Sequence, residues 1–145
     1  MFTDAKSMMF YAYGLIDKFE TKFNGTVTTV CPPTADTTDE QSYNRAIHLS
    51  LKFVYPNLGT NVVYYVAFRF TFPRRGVPSQ FSSIEVFDSS YTSVLKIKYT
   101  DYFREDYTSQ YQFYLFSTEF EDRFFNNILS NSEPEQEVVP EGTPF

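Results

Sequence analysis

The stretch AIHLSLKFVYPNLGTNVVYYVAFRFTF, residues 46–72, alternates apolar and polar side chains on both sides of a turn. In its first half Ile47, Leu49, Leu51, Phe53 and Tyr55 make one row, and His48, Ser50 and Lys52 make the other. In its second half Val62, Tyr64, Val66, Phe68, Phe70 and Phe72 share one side, and Val63, Tyr65, Ala67, Arg69 and Thr71 share the opposite side. A period of two is that of a strand with one buried and one wet surface. Between the halves, Pro56-Asn57-Leu58-Gly59 is turn chemistry.

The pattern extends outward from this pair. Residues 26–31, TVTTVC, suit a short strand, and the polar, proline-led PPTADTTDEQ after them reads as a loop. PRRGVPSQ, residues 73–80, breaks the alternation. Residues 81–87 and 92–99 pair around an Asp88-Ser89-Ser90 turn, with Leu95, Ile97 and Tyr99 opposing Val94, Lys96 and Lys98. Residues 111–116, YQFYLF, read as a last strand. Two helices bracket the strands. Met8, Ala12, Leu15, Ile16, Phe19 and Phe23 recur at helical spacing over 4–23, with Thr3 or Asp4 as cap and Asn24-Gly25 as stop. Over 118–130, Phe120, Phe124, Phe125, Ile128 and Leu129 form a stripe behind a Thr118/Glu121 capping box.

Strands that follow one another without helical crossovers favour antiparallel pairing. The chain therefore reads as α+β: an antiparallel sheet of five or six strands, flanked by an N-terminal and a C-terminal helix packed on one face. Residues 1–130 form a single domain, and 131–145 a flexible acidic C-terminal tail. Seventeen Phe and twelve Tyr among 145 residues, with no Trp, give this aromatic-rich sheet its core and its flat contact surfaces. Phe124→Ala is expected to cost about 3–5 kcal/mol.

The net charge of −6 is localised. Residues 1–116 carry eleven Lys/Arg and eleven Asp/Glu, so the whole excess falls on 117–145, with Arg123 against Glu119, Glu121, Asp122, Glu133, Glu135, Glu137 and Glu141. A near-neutral body with an acidic end does not exclude an anionic ligand. The single cysteine, Cys31, rules out an intrachain disulfide. MFTDAKSMMF does not read as a signal peptide, no apolar run approaches a bilayer span, and Asn24-Gly25-Thr26 reads as a turn. A cytoplasmic protein, neither secreted nor bound to a membrane, is expected.

No catalytic signature occurs: there is no CxxC, HExxH, GxSxG or glycine-rich phosphate loop. His48, the one histidine, reads as an exposed polar strand residue, and Asp36, Asp39 and Glu40 match no cation-binding pattern. The expectation is a non-enzyme with neither cofactor nor metal. The wet side is more informative. It displays Lys52, Tyr65, Arg69, Lys96, Lys98 and Tyr114, with Arg74 and Arg75 on the adjoining turn and Glu85 as the clear acid. Cations interleaved with rings suit single-stranded nucleic acid, because phosphates take Lys and Arg and unstacked bases take π faces.

The ending EPEQEVVPEGTPF, residues 133–145, adds an acidic, proline-rich segment closed by Pro144-Phe145. It resembles the C-terminal tails of bacterial and phage single-stranded DNA-binding proteins. That resemblance implies a disordered tail that recruits replication and repair proteins through its tip and competes with DNA for the binding groove. Pro144 and Phe145 would then contact a protein partner. Outside the tail the likeness stops: a body opening and closing on a helix is not the usual OB barrel. Residues and resemblance together point to a non-enzymatic nucleic-acid-binding protein preferring single strands, DNA or RNA, and a homodimer would lengthen the short track of one sheet. The alternative is a protein–protein interaction module, such as a viral or mobile-element inhibitor or assembly factor, burying its aromatic surface on one partner.

Overall fold

The computed structural model describes residues 5–35, 44–73, 83–102 and 104–130. In chain order these form α1 (Ala5–Phe23), β1 (Thr26–Ala35), β2 (Asn44–Asn57), β3 (Thr60–Pro73), β4 (Ser83–Phe87), β5 (Ser93–Lys98), a 3-10 turn (Tyr99–Tyr102) and α2 (Ser109–Glu121). The last helix continues as a π-helical segment, Asp122–Leu129. The five strands lie in sequence order and every pairing is antiparallel. The architecture is α+β, one meandering sheet with an N-terminal and a C-terminal helix.

The strand pair read first in the sequence is the centre of the sheet. β2 and β3 pair without a register shift from Asn44 opposite Pro73 to Asn57 opposite Thr60. Leu58 and Gly59 make the two-residue turn, both with positive φ, 55° and 79°. Two left-handed residues give the turn whose twist matches a hairpin. Glycine adopts that conformation freely, and Leu58 bears the strain. β1 runs further than expected, because the register shifts around Pro32 and Pro33 let pairing resume at Thr34 opposite His48. An edge strand tolerates prolines, which lack the N–H a central strand must donate.

The largest correction concerns residues 111–116. They are helical rather than a strand, and the helix expected from 118 begins at Ser109. Thr108 is the cap: its hydroxyl accepts the Tyr111 N–H at 3.1 Å. Thr118 and Glu121 therefore sit inside a helix and form no capping box. Short aromatic runs satisfy strand and helix patterns equally well, and here burial decides. Phe116, Phe120 and Phe124 are buried on one stripe, with Phe113 packed beside them. The wider π-helical turn then brings Phe124, Phe125 and Leu129 all into the core.

One face of the sheet carries that core. Leu49, Leu51, Phe53 and Tyr55, Val62, Val66 and Phe68, Ile84 and Val86, and Leu95 and Ile97 are buried together with Ala12, Leu15 and Phe19 of α1. Rings lock the layers edge to face: Phe19 on Phe53 at 4.8 Å between centroids, and Phe53 on Phe124 at 5.4 Å. The buried Tyr55 hydroxyl donates to the Leu129 carbonyl at 2.6 Å, tying the end of the last helix to β2. Gly25 lets α1 turn into β1, since a Cβ there would collide with the Phe19 ring and lie 2.6 Å from the Val54 carbonyl oxygen. The two helices run parallel, matched by Tyr11 against Phe113, Lys18 against Glu121 and Lys22 against Asn126. No helix among the described residues is long and apolar enough to cross a membrane.

Candidate functional site

With every buried strand residue turned toward the helices, the alternate residues fall on the other face, and the register arranges them in rows. One row runs Lys52, Tyr65 and Phe87 across β2, β3 and β4. The next runs Ser50, Ala67, Glu85 and Lys96 across β2 to β5. A third runs His48, Arg69, Ser83 and Lys98. Rows are about 6.8 Å apart along the strands, and neighbours within a row are about 4.8 Å apart. Lys96 and Lys98 are exposed, while Lys52, Tyr65, Arg69 and Glu85 are half-buried. The face thus has an aromatic row, a row of small side chains ending in Glu85 and Lys96, and a cationic row.

Of the residues expected to meet on this surface, Lys52, Tyr65, Arg69, Lys96 and Lys98 are brought together. Tyr114 is not. It lies on α2, in the helical layer behind the sheet, and helps line an open groove of about 790 Å³ between α1 and α2 with Lys18, Lys22, Glu121 and Phe125. The aromatic run 111–116 fits a strand by period, but its helical backbone carries Tyr114 into the other layer. Arg74, Arg75, Asp36, Asp39, Glu40, Pro144 and Phe145 lie outside the described residues. Cys31 and His48 occupy neighbouring strands, Cys31 opposite Ser50 and His48 opposite Arg69. Among the described residues no cluster of three or more His, Cys, Asp or Glu could hold a metal ion.

Tyr91 also belongs to this surface, although no pattern in the sequence signals it. It has a positive φ of 61° in the link between β4 and β5. The Asp88 carboxylate builds that link, accepting from the Ser90 N–H at 2.9 Å and the Thr92 N–H at 3.0 Å. The resulting turn lays the Tyr91 ring on that of Tyr65, with centroids 4.7 Å apart and planes 23° from parallel. Hydrogen bonding to Tyr65 raises the Tyr91 hydroxyl above its ordinary range, and the Lys52 ammonium pulls it the other way. Tyr91 remains 68% exposed, so a two-ring platform stands beside a lysine. The Asp88-Ser89-Ser90 turn signalled a hairpin, but only the register shows what its next residue covers.

The helical layer carries a second exposed aromatic set. Phe10, Tyr13, Tyr111 and Tyr114 are exposed. Tyr111 stacks between neighbours, edge-on to Tyr107 and near-parallel to Tyr114. Beneath them the Tyr11 hydroxyl donates to Glu121 at 3.1 Å, and Lys18 pairs with the same carboxylate. Burial first, and then the Glu121 charge, push the Tyr11 hydroxyl well above its ordinary range.

No family model, curated protein or solved structure matches the chain.

Proposed function

We propose that this protein is a non-enzymatic nucleic-acid-binding protein preferring single strands, with the sheet face turned away from the helices as its binding surface. One observation supports this reading above the others: Lys52, Arg69, Lys96 and Lys98 share a face with the Tyr65–Tyr91 platform. Phosphates want dispersed cations and unpaired bases want exposed rings; a duplex offers no free base faces to such a platform. Lys52, Arg69, Lys96 and Lys98 would contact backbone phosphates, and Tyr91 over Tyr65 would take a base. The acidic segment 133–141 acts as a competing anion, and Pro144 and Phe145 offer a protein partner an apolar contact. Pairing of two copies would extend the track.

The test is binding to a labelled oligo-dT across a salt series. Four cations contacting phosphate predict a log–log slope of about −3. Converting Glu133, Glu135, Glu137 and Glu141 to Gln in the full chain should tighten binding. Weak binding that is flat with salt in both proteins would sink the reading.

A second reading has an observation of its own. The exposed rings of Phe10, Tyr13, Tyr111 and Tyr114 on the helical layer favour a protein–protein interaction module, such as an inhibitor or assembly factor. The two readings use opposite sides of the molecule, so surface substitutions separate them.

A further inference from the structure

Glu85 is the only acid on the five strands among the described residues, and it sits where a phosphate-binding face should least tolerate one. Its row neighbours are Ala67 on β3 and Lys96 on β5, with Ser50 one strand further. Ser50 and Ala67 are small, so this row is a shallow trough. The aromatic row of Lys52, Tyr65 and Phe87 bounds it on one side, and the cationic row of Arg69 and Lys98 on the other. A backbone drawn to the cationic row and a base drawn to the rings leave the base edge over the trough. The Ser93 hydroxyl donates to Glu85 Oε2 at 2.7 Å, which fixes the carboxylate and leaves acceptor capacity on both oxygens.

Resting on the nucleic-acid reading, we propose that Glu85 is a specificity-determining residue that accepts the Watson–Crick edge of an unpaired guanine. An ionised carboxylate only accepts hydrogen bonds, and it is best satisfied by two parallel donors. Guanine offers two adjacent donors on that edge, N1–H and N2–H. Thymine and uracil offer one N–H between two carbonyl oxygens. Cytosine and adenine set a ring-nitrogen acceptor beside their amino group, and it repels the second carboxylate oxygen. Such edge recognition is how single strands are read once their bases are splayed and stacked on rings. Glu85 thus repels backbone and selects one base at the same position.

The experiment compares a short oligo-dT, the same oligomer with one central deoxyguanosine, and the same oligomer with deoxyinosine there. The native protein should prefer the guanine oligomer by about tenfold. Inosine lacks the N2 amino group and should lose most of that gain. Glu85→Gln should bind oligo-dT at least as tightly as the native protein, showing a folded surface, and lose the preference. Equal affinity of the native protein for all three oligomers overturns the inference while leaving the nucleic-acid reading intact. A Glu85→Gln protein that binds everything more tightly with an unchanged preference also overturns it, because Glu85 would then only repel phosphate. No binding to any oligomer at low salt overturns the nucleic-acid reading and this inference with it.

Discussion

The two faces of the sheet are built from the same residue types to opposite ends. Inside, Phe53 meets Phe19 and Phe124 edge to face, and each ring is fully buried. Outside, Tyr65 meets Tyr91 nearly parallel, and the upper ring stays in water. The inner arrangement fills volume and interlocks two layers, which is what a core requires. The outer one leaves a flat π surface exposed beside Lys52. Ring count alone therefore does not distinguish the two faces; exposure and the neighbouring charge do.

That contrast breaks most readily from the inside. Phe124→Ala should cost about 3–5 kcal/mol by urea denaturation, because it empties a site shared by Phe53, Phe120 and Phe125. A change below about 1 kcal/mol would mean the layers are not interlocked as described. On the outer face the same truncation should behave oppositely. Tyr65→Ala removes half of the platform and should weaken oligo-dT binding by about 1–3 kcal/mol while moving the urea midpoint far less than Phe124→Ala does.

The inner side also has a titrating member. The folded value of Tyr11 lies above the unfolded value of about 10, so its contribution is complete below about pH 10 and is lost as pH rises beyond it. The loss is about 1.4 kcal/mol per pH unit in that range. Tyr11→Phe keeps the ring on Phe113 and should show a shallower alkaline decline than the native protein. Tyr99, also raised by burial, leaves a remainder in both. Parallel alkaline curves would remove Tyr11 from the account. The smallest effect belongs to the helix start: Thr108→Ala should cost about 1 kcal/mol of stability without changing oligonucleotide affinity.

Much of the fold was legible because alternation over 46–72 is a direct imprint of burial on one face, and Val62, Val66 and Phe68 are buried as that pattern requires. The outer rows follow by subtraction, which is why Lys52, Tyr65, Arg69, Lys96 and Lys98 could be named together. Tyr114 failed for a physical reason: a six-residue aromatic run fits a strand or one side of a helix, and period alone cannot separate them. The resolving signal lay in a longer window, since Phe113, Phe116, Phe120 and Phe124 continue one helical stripe behind Thr108. Tyr91 was out of reach, because its place depends on a left-handed backbone and on which strand end the turn overhangs. The π-helical widening that buries Phe124 and Phe125 together leaves no composition signal either.

The most direct test of the account is backbone amide chemical-shift mapping of the full chain titrated with oligo-dT. Perturbations should concentrate on β2 to β5 and the Tyr91 turn, at Lys52, Tyr65, Glu85, Lys96 and Lys98, with α1 and α2 nearly silent. Perturbations concentrated instead on Phe10, Tyr13, Tyr111 and Tyr114 would contradict it and assign the ligand to the helical side.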